Sequence, residues 1–153
     1  MVISLIGMGI IEVLLIEDNH DEATLITEIL RSYVHNINIT CINDGMDAMG
    51  YLYKINNYKN SKRPSLIILD LNLPRKDGRE ILEEIKTDNK LKSIPVVVLR
   101  SSDNDKDIIE SYEHYANAYI IKSADFDKFN NDIRGFVDFW FNSVMLPNFN
   151  YSE

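Results

Sequence analysis

Cysteine is almost missing from this chain: Cys41 is the only one in 153 residues. No intramolecular disulfide can form, and the usage fits a reducing compartment such as the cytoplasm. Basic residues are outnumbered, 16 Lys+Arg against 24 Asp+Glu, for a formal net charge of −8. Affinity for DNA or RNA comes largely from Lys and Arg on phosphates, so a nucleic-acid partner is not expected, although a basic protein surface is open to it. With 4 Pro and 6 Gly, the chain has no low-complexity tract and no linker to a second domain, and it has no internal repeat. Nor does any apolar run reach the ~20 residues of a membrane helix. The nearest, Met1–Ile11, is broken by Glu12, follows no basic segment and precedes no small-residue cleavage site. It reads as a leader entering the first strand, with Met8 as an alternative start, and no membrane association is expected. No GxxxxGK[ST] is present, which removes P-loop chemistry. Gly7-x-Gly9 precedes a strand instead of following one, so it is no dinucleotide fingerprint.

What remains is an ordinary globular composition, 45% hydrophobic and 26% charged. A chain near ~150 residues buries about 68–70% of its unfolded surface, enough for one domain with a real core. Apolar runs recur along it. Ile10–Ile16 is unbroken but for Glu12, Leu66–Leu69 is wholly apolar, Pro95–Leu99 reads PVVVL and Ala118–Ile121 reads AYII. Such runs predict strands buried on both faces. Asn38–Ile42 alternates and predicts a less buried strand, in which Cys41 is expected as a small buried residue. Between the runs, apolar residues fall at i, i+3, i+4, as in amphipathic helices. The helices span Asp21–Tyr33, the stretch from Met46 to Ile55 behind an Asp44 cap, Glu80–Asp88, Asp105–Tyr115 with Ile108, Ile109 and Tyr112 on one face, and Phe126–Val144, which Pro147 stops. Five β–α units predict a doubly wound parallel sheet with helices on both faces.

In such sheets ligands bind outside the carboxyl ends of the strands. The first strand ends in Glu17-Asp18, the third in Asp70, the fourth in Arg100-Ser101-Ser102 and the fifth in Lys122. Any one strand-end Asp is an ordinary cap or solvated loop residue, but four such ends on one rim need another account. Clustered carboxylates repel, and a hard divalent cation with oxygen ligands relieves them. Mg²⁺ is the expected ion. Lys122 can then neutralise a phosphoryl oxygen, and Asp70 is a possible carboxylate nucleophile. His20, His35 and His114 are expected at the surface, not as ligands. Asp70-x-Asn72 lacks the second Asp of haloacid-dehalogenase-type phosphatases.

In this order LLIEDN (Leu14–Asn19), LIILDLNLPRKDG (Leu66–Gly78), IPVVVL (Ile94–Leu99) and YIIKS (Tyr119–Ser123) resemble the receiver domain of two-component response regulators. The likeness runs from about Ile11 to Phe141. LNLPRKDGREIL (Leu71–Leu82), KSA (Lys122–Ala124) and the terminal FWF…LP narrow it to single-domain regulators paired with cyanobacterial-type phytochrome histidine kinases. The resemblance implies a flavodoxin-like (βα)5 fold, strand order 2-1-3-4-5, over residues 10–146, with a leader at 1–9 and a tail at 147–153. It implies that Asp70 accepts a phosphoryl group from a sensor histidine kinase. Glu17, Asp18, Asp70 and the backbone carbonyl of Asn72 would hold Mg²⁺, Lys122 would contact the phosphoryl group and Tyr119 would be the aromatic switch. Such a protein is no enzyme in the ordinary sense, though it assists its own phosphotransfer and dephosphorylation. It would signal by protein–protein contact or phosphorelay.

Two positions depart from that pattern. Receivers carry Thr or Ser five residues after the proline of the fourth strand, and here that position is Arg100. Three placements are open to it: pairing with Asp70, binding the phosphoryl group, or swinging outward while Ser101 takes the role after a one-residue shift, which needs local irregularity. Pairing with Asp70 would favour an alternative function, a phosphorylation-independent interaction module locked by Arg100. The second departure is Ser123, where many receivers have Pro after the lysine, leaving that bond trans or cis with strain. A small flavodoxin-like binding domain would leave the acidic rim unexplained. The last helix carries Phe126, Phe129, Phe136, Phe139, Trp140 and Phe141. This is more than one face, so core packing and a homodimer through the last strand and helix are both open.

Overall fold

A computed structural model of the chain describes residues 9–147; the leader up to Met8 and the tail from residue 148 lie outside the described residues. The five expected strands form one parallel sheet in the order β2-β1-β3-β4-β5. β1 spans Ile11–Ile16, β2 Ile37–Ile42, β3 Leu66–Leu69, β4 Val96–Arg100 and β5 Ala118–Ile121. The three inner strands are the most apolar because both their faces are covered: β3 is buried throughout, β1 from Val13 onward and β4 as far as Leu99.

Helix α1 (His20–Tyr33) and helix α5 (Phe126–Val137) cover one face of the sheet, packing Ile26, Leu30, Phe129, Ile133 and Phe136 on Val13, Leu15, Ile68 and Val97. Helix α2 (Gly45–Tyr53) and helix α3 (Gly78–Thr87) cover the other, packing Met49, Leu52, Ile81 and Ile85 on Leu14, Ile16, Leu69 and Val98. Each helix starts on a side-chain cap that accepts a backbone N–H two or three residues on. Asp44 receives the amide of Asp47, and Asp125 receives those of Asp127 and Lys128.

Three expectations need correction, and two left open are decided. Cys41 is exposed, not buried, because β2 is an edge strand with only Ile39 and Ile42 buried; its Sγ lies 3.6 Å from Thr27 Oγ1. Helix α4 (Asp105–Glu113) turns Ile109 and Tyr112 to solvent and fully buries only Ser111, since it borders the other edge strand, β5. The last α-helix stops at Val137 and continues as a π-helical turn over Asp138–Ser143. Of its aromatics, Phe129, Phe136 and Phe141 are buried while Phe126 and Phe139 are exposed. The Lys122–Ser123 bond is trans, since no described peptide bond is cis. Among the described residues no helix is long and apolar enough to cross a membrane.

Candidate functional site

The parallel register brings the chemistry to one rim. Glu17, the residue after β1, donates its amide to Ile42 O at 3.0 Å, and Asp70, the residue after β3, donates to Ile16 O at 2.9 Å. These ladder bonds fix both carboxylates side by side at 3% and 9% exposure. Asp18 follows on the solvent side and is exposed. Carboxylate oxygens of Glu17, Asp18 and Asp70 lie within 4.8 Å of one another. Asn72 Nα donates to Asp70 Oδ1 at 3.1 Å, which sets the orientation of that carboxylate and turns the chain of the β3–α3 loop.

Lys122 enters from the end of β5, its amide bonded to Arg100 O at 2.7 Å. Its Nζ meets Glu17 Oε1 and Glu22 Oε2, each at 2.5 Å, and lies 3.7 Å from Asp70 Oδ2. Burial alone would lower the Lys122 ammonium, but hydrogen bonds to Glu17 and Glu22 outweigh it and hold the group charged. Glu17 is displaced the opposite way for a carboxyl. Burial pushes its pKa up to about 8, and Asp70 beside it adds to the rise against the opposing pull of Lys122. Two buried carboxylates with one shared ammonium are short of positive charge. An all-oxygen set with one solvent-facing member fits a hard divalent cation that keeps some of its waters.

Arg100 does not pair with Asp70. It stays in register as the last residue of β4, opposite Ile121, so no shift carries Ser101 inward, and Ser101 is exposed. The Arg100 side chain turns to α4, where Nη1 lies 3.4 Å from Asp107 Oδ2. Lys122 already flanks Asp70, so the guanidinium takes the other carboxylate in reach. Tyr119 is half-buried and its hydroxyl donates to Ser102 O at 2.9 Å, tying β5 to the β4–α4 loop. Burial raises its pKa.

Sequence reasoning missed Glu22, Arg79 and Asp107. Glu22 was findable: it lies in the first turn of α1, which begins at the rim just after Glu17 and Asp18. Arg79 and Asp107 meet across α3 and α4 at 2.8 Å, a contact that no local spacing announces.

A doubly wound sheet whose carboxyl rim joins three carboxylates to a half-buried lysine defines a class: an α/β domain that can hold a divalent cation against a carboxylate faced by an ammonium. The chain belongs to the response regulator receiver domain family, whose profile matches residues 13–134. It is 44% identical over 135 residues to the response regulator Rcp1 of Synechocystis sp. (strain ATCC 27184 / PCC 6803 / Kazusa), covering 88% of this chain and 92% of that one. The phosphorylated cyanobacterial phytochrome response regulator RcpA superposes with a TM-score of 0.87 at 44% identity, over 92% of this chain and all of that one. The Mn²⁺-bound form of Rcp1 superposes with a TM-score of 0.85 at 43% identity, over 90% and 99%.

Proposed function

We propose that this chain is a stand-alone response regulator that accepts a phosphoryl group on Asp70 from a sensor histidine kinase of the phytochrome type, in a Mg²⁺-dependent reaction in the cytoplasm. The observation that carries it is the convergence of Asp70 with Glu17, Asp18 and Lys122 at one rim. The coverage of a relative described as phosphorylated and of another described as Mn²⁺-bound supports it. Glu17, Asp18, Asp70 and the backbone carbonyl of Asn72 would hold the ion. Bound there, it would neutralise charge developing on the phosphoryl oxygens.

The protein's own groups do the rest. The Asn72 amide fixes one Asp70 oxygen and Lys122 faces the other, so the nucleophile is oriented before the donor arrives. An Asp70 oxygen bonds to phosphorus as the bond from phosphorus to the donor histidine nitrogen breaks, and the imidazole leaves. Lys122 has to slide off Glu22 toward the new phosphate, which offers it a stronger charge. Incubation with Mg²⁺ and acetyl phosphate is expected to add one phosphoryl group to the intact mass. Asp70→Asn and a chelated sample should show none. A mutant that still gains the mass would overturn the assignment of Asp70.

The output is protein–protein contact or onward transfer of phosphate, consistent with a net charge of −8. The homodimer through the last strand and helix draws support from the exposed Ile121 and Phe126, with Ile109, Tyr112 and Tyr115 beside them. Sedimentation at rising concentration is expected to show a dimer that Phe126→Asp dissociates. A monomer at every concentration, phosphorylated or not, would sink this part of the reading.

A further inference from the structure

Arg100 is the residue that the receiver pattern does not explain, and its surroundings are lopsided. Asp107, in the first turn of α4, accepts from Arg79 Nη2 at 2.8 Å and meets Arg100 only at 3.4 Å. Arg79, in the first turn of α3, also reaches Asp77 at 3.3 Å and Glu110 at 3.8 Å. Asp107 is therefore well paired without Arg100. Arg100, with a side chain only 17% exposed, has no other carboxylate within 4.0 Å among the described residues. A guanidinium carries five N–H donors, and of these only one on Nη1 meets a protein acceptor among the described residues, at 3.4 Å.

Its backbone stands close to the reacting carboxylate. β3 and β4 pair as far as Leu69 and Val98, and Asp70 and Arg100 lie one and two residues past that pair on the two neighbouring strands. Neighbouring strands lie about 4.8 Å apart, a gap that an extended arginine crosses. Without a phosphoryl group the guanidinium makes no ion pair with Asp70, whose Oδ1 accepts the Asn72 amide and whose Oδ2 faces Lys122 at 3.7 Å. An aspartyl phosphate adds negative charge and acceptor oxygens, which suit a guanidinium fork better than one distant carboxylate does.

We propose that Arg100 is a phosphoryl-binding residue held in reserve by Asp107: when Asp70 carries a phosphoryl group, the guanidinium leaves Asp107 for the phosphoryl oxygens, and Arg79 keeps Asp107 paired. The proposal rests on the reading of Asp70 as the phospho-acceptor. The hydroxyl that other receivers place at this position is replaced by a longer, charged arm with a resting place of its own. Its departure also cuts one of the ties between β4 and the first turn of α4. The state of Asp70 thereby reaches the helix whose Ile109 and Tyr112 face solvent.

The test is a double-mutant cycle on the full chain, titrated by calorimetry with beryllofluoride, a phosphoryl mimic, in excess Mg²⁺. Arg100→Met is expected to weaken binding about tenfold, and Arg100→Lys, which keeps the charge but loses the fork, to fall between. Asp107→Asn keeps an acceptor for Arg79 and loosens the hold on Arg100, so it is expected to tighten binding about threefold. In the Arg100→Met background the same Asp107→Asn change is expected to do nothing. The latch is overturned if Arg100→Met binds as wild type does, or if Asp107→Asn has the same effect with and without Arg100. Asp70→Asn separates the two readings. Should wild type bind and Asp70→Asn not, an additive cycle overturns the latch alone. Should neither bind, the phospho-acceptor reading falls and takes the latch with it.

Discussion

In a chelating buffer the protein is expected to lose thermal stability as pH rises from about 5 to 8, and Mg²⁺ is expected to restore most of the loss at the upper end. The cause is Glu17. Its folded pKa stands near 8 because burial and Asp70 both disfavour the charged form. Unfolded, the same carboxyl ionises at the ordinary value near ~4.3. Between those two values the folded state holds a proton that the unfolded state has released. Stability therefore falls with rising pH across that window, by up to an order of 3–5 kcal/mol. For a chain of this size that is on the order of 10 °C in Tm. Lys122 does not disturb the window, since its shift is upward and it titrates far above it. A divalent cation needs the carboxylate ionised, so binding must displace the proton from nearly every molecule at pH 6 and from only about half of them at pH 8. The Tm gain from Mg²⁺ should accordingly be larger at pH 8 than at pH 6. Glu17→Gln should flatten the metal-free profile. A Glu17→Gln protein that tracks wild type across the window, or a Mg²⁺ gain that is equal at both pH values, would show that Glu17 does not carry the effect.

The same strand-end logic explains what the sequence made legible. Buried parallel strands write themselves as short apolar runs, and the residue after each run lands on one rim whatever the helices do. Glu17, Asp70 and Lys122 could therefore be placed together before any contact was seen, and β3 and β5 begin and end where the letters suggest. Residues whose surroundings come from a different element were not legible. Arg100 could be put at the end of β4, but its partner Asp107 depends on how α4 lies against α3. Cys41 shares a strand face with the buried Ile39 as a core residue would, yet an edge strand leaves its position uncovered. Ile109 and Tyr112 have the spacing of a buried face. Spacing says which residues share a side and not whether anything packs against it, and beside β5 little does. Apolar periodicity thus overstates burial at both margins of the sheet and reads it correctly at the centre.

Gly78→Ala is expected to destabilise the fold by about 3 kcal/mol or more, as overpacking against unyielding atoms does, and to cut phosphorylation of Asp70 at least tenfold. Gly78 is the first residue of α3 and is buried. Its amide donates to Leu71 O at 2.8 Å, which closes the loop that carries Asn72. A methyl group there would overlap the carbonyl oxygen of Asp70 and Cα of Leu71. Neither is the end of a flexible side chain: both belong to the backbone that aims the Asp70 carboxylate. Relief requires moving α3 or moving Asp70, and α3 is pinned by Ile81, Leu82 and Ile85 in the core. Asp70 is therefore the group that shifts, and a displacement of a few tenths of an ångström breaks the alignment with Glu17, Asp18 and Lys122. Gly135→Ala supplies the contrast. It lies within α5, is exposed, and has nothing within 4 Å of the added methyl. Alanine there gains helix propensity at no steric cost, so urea denaturation should show a stabilisation of roughly 0.5–1 kcal/mol with phosphorylation unchanged. Equal effects at the two glycines would mean that the β3–α3 loop yields freely, and that the close packing of Gly78 under Asp70 does not position its carboxylate.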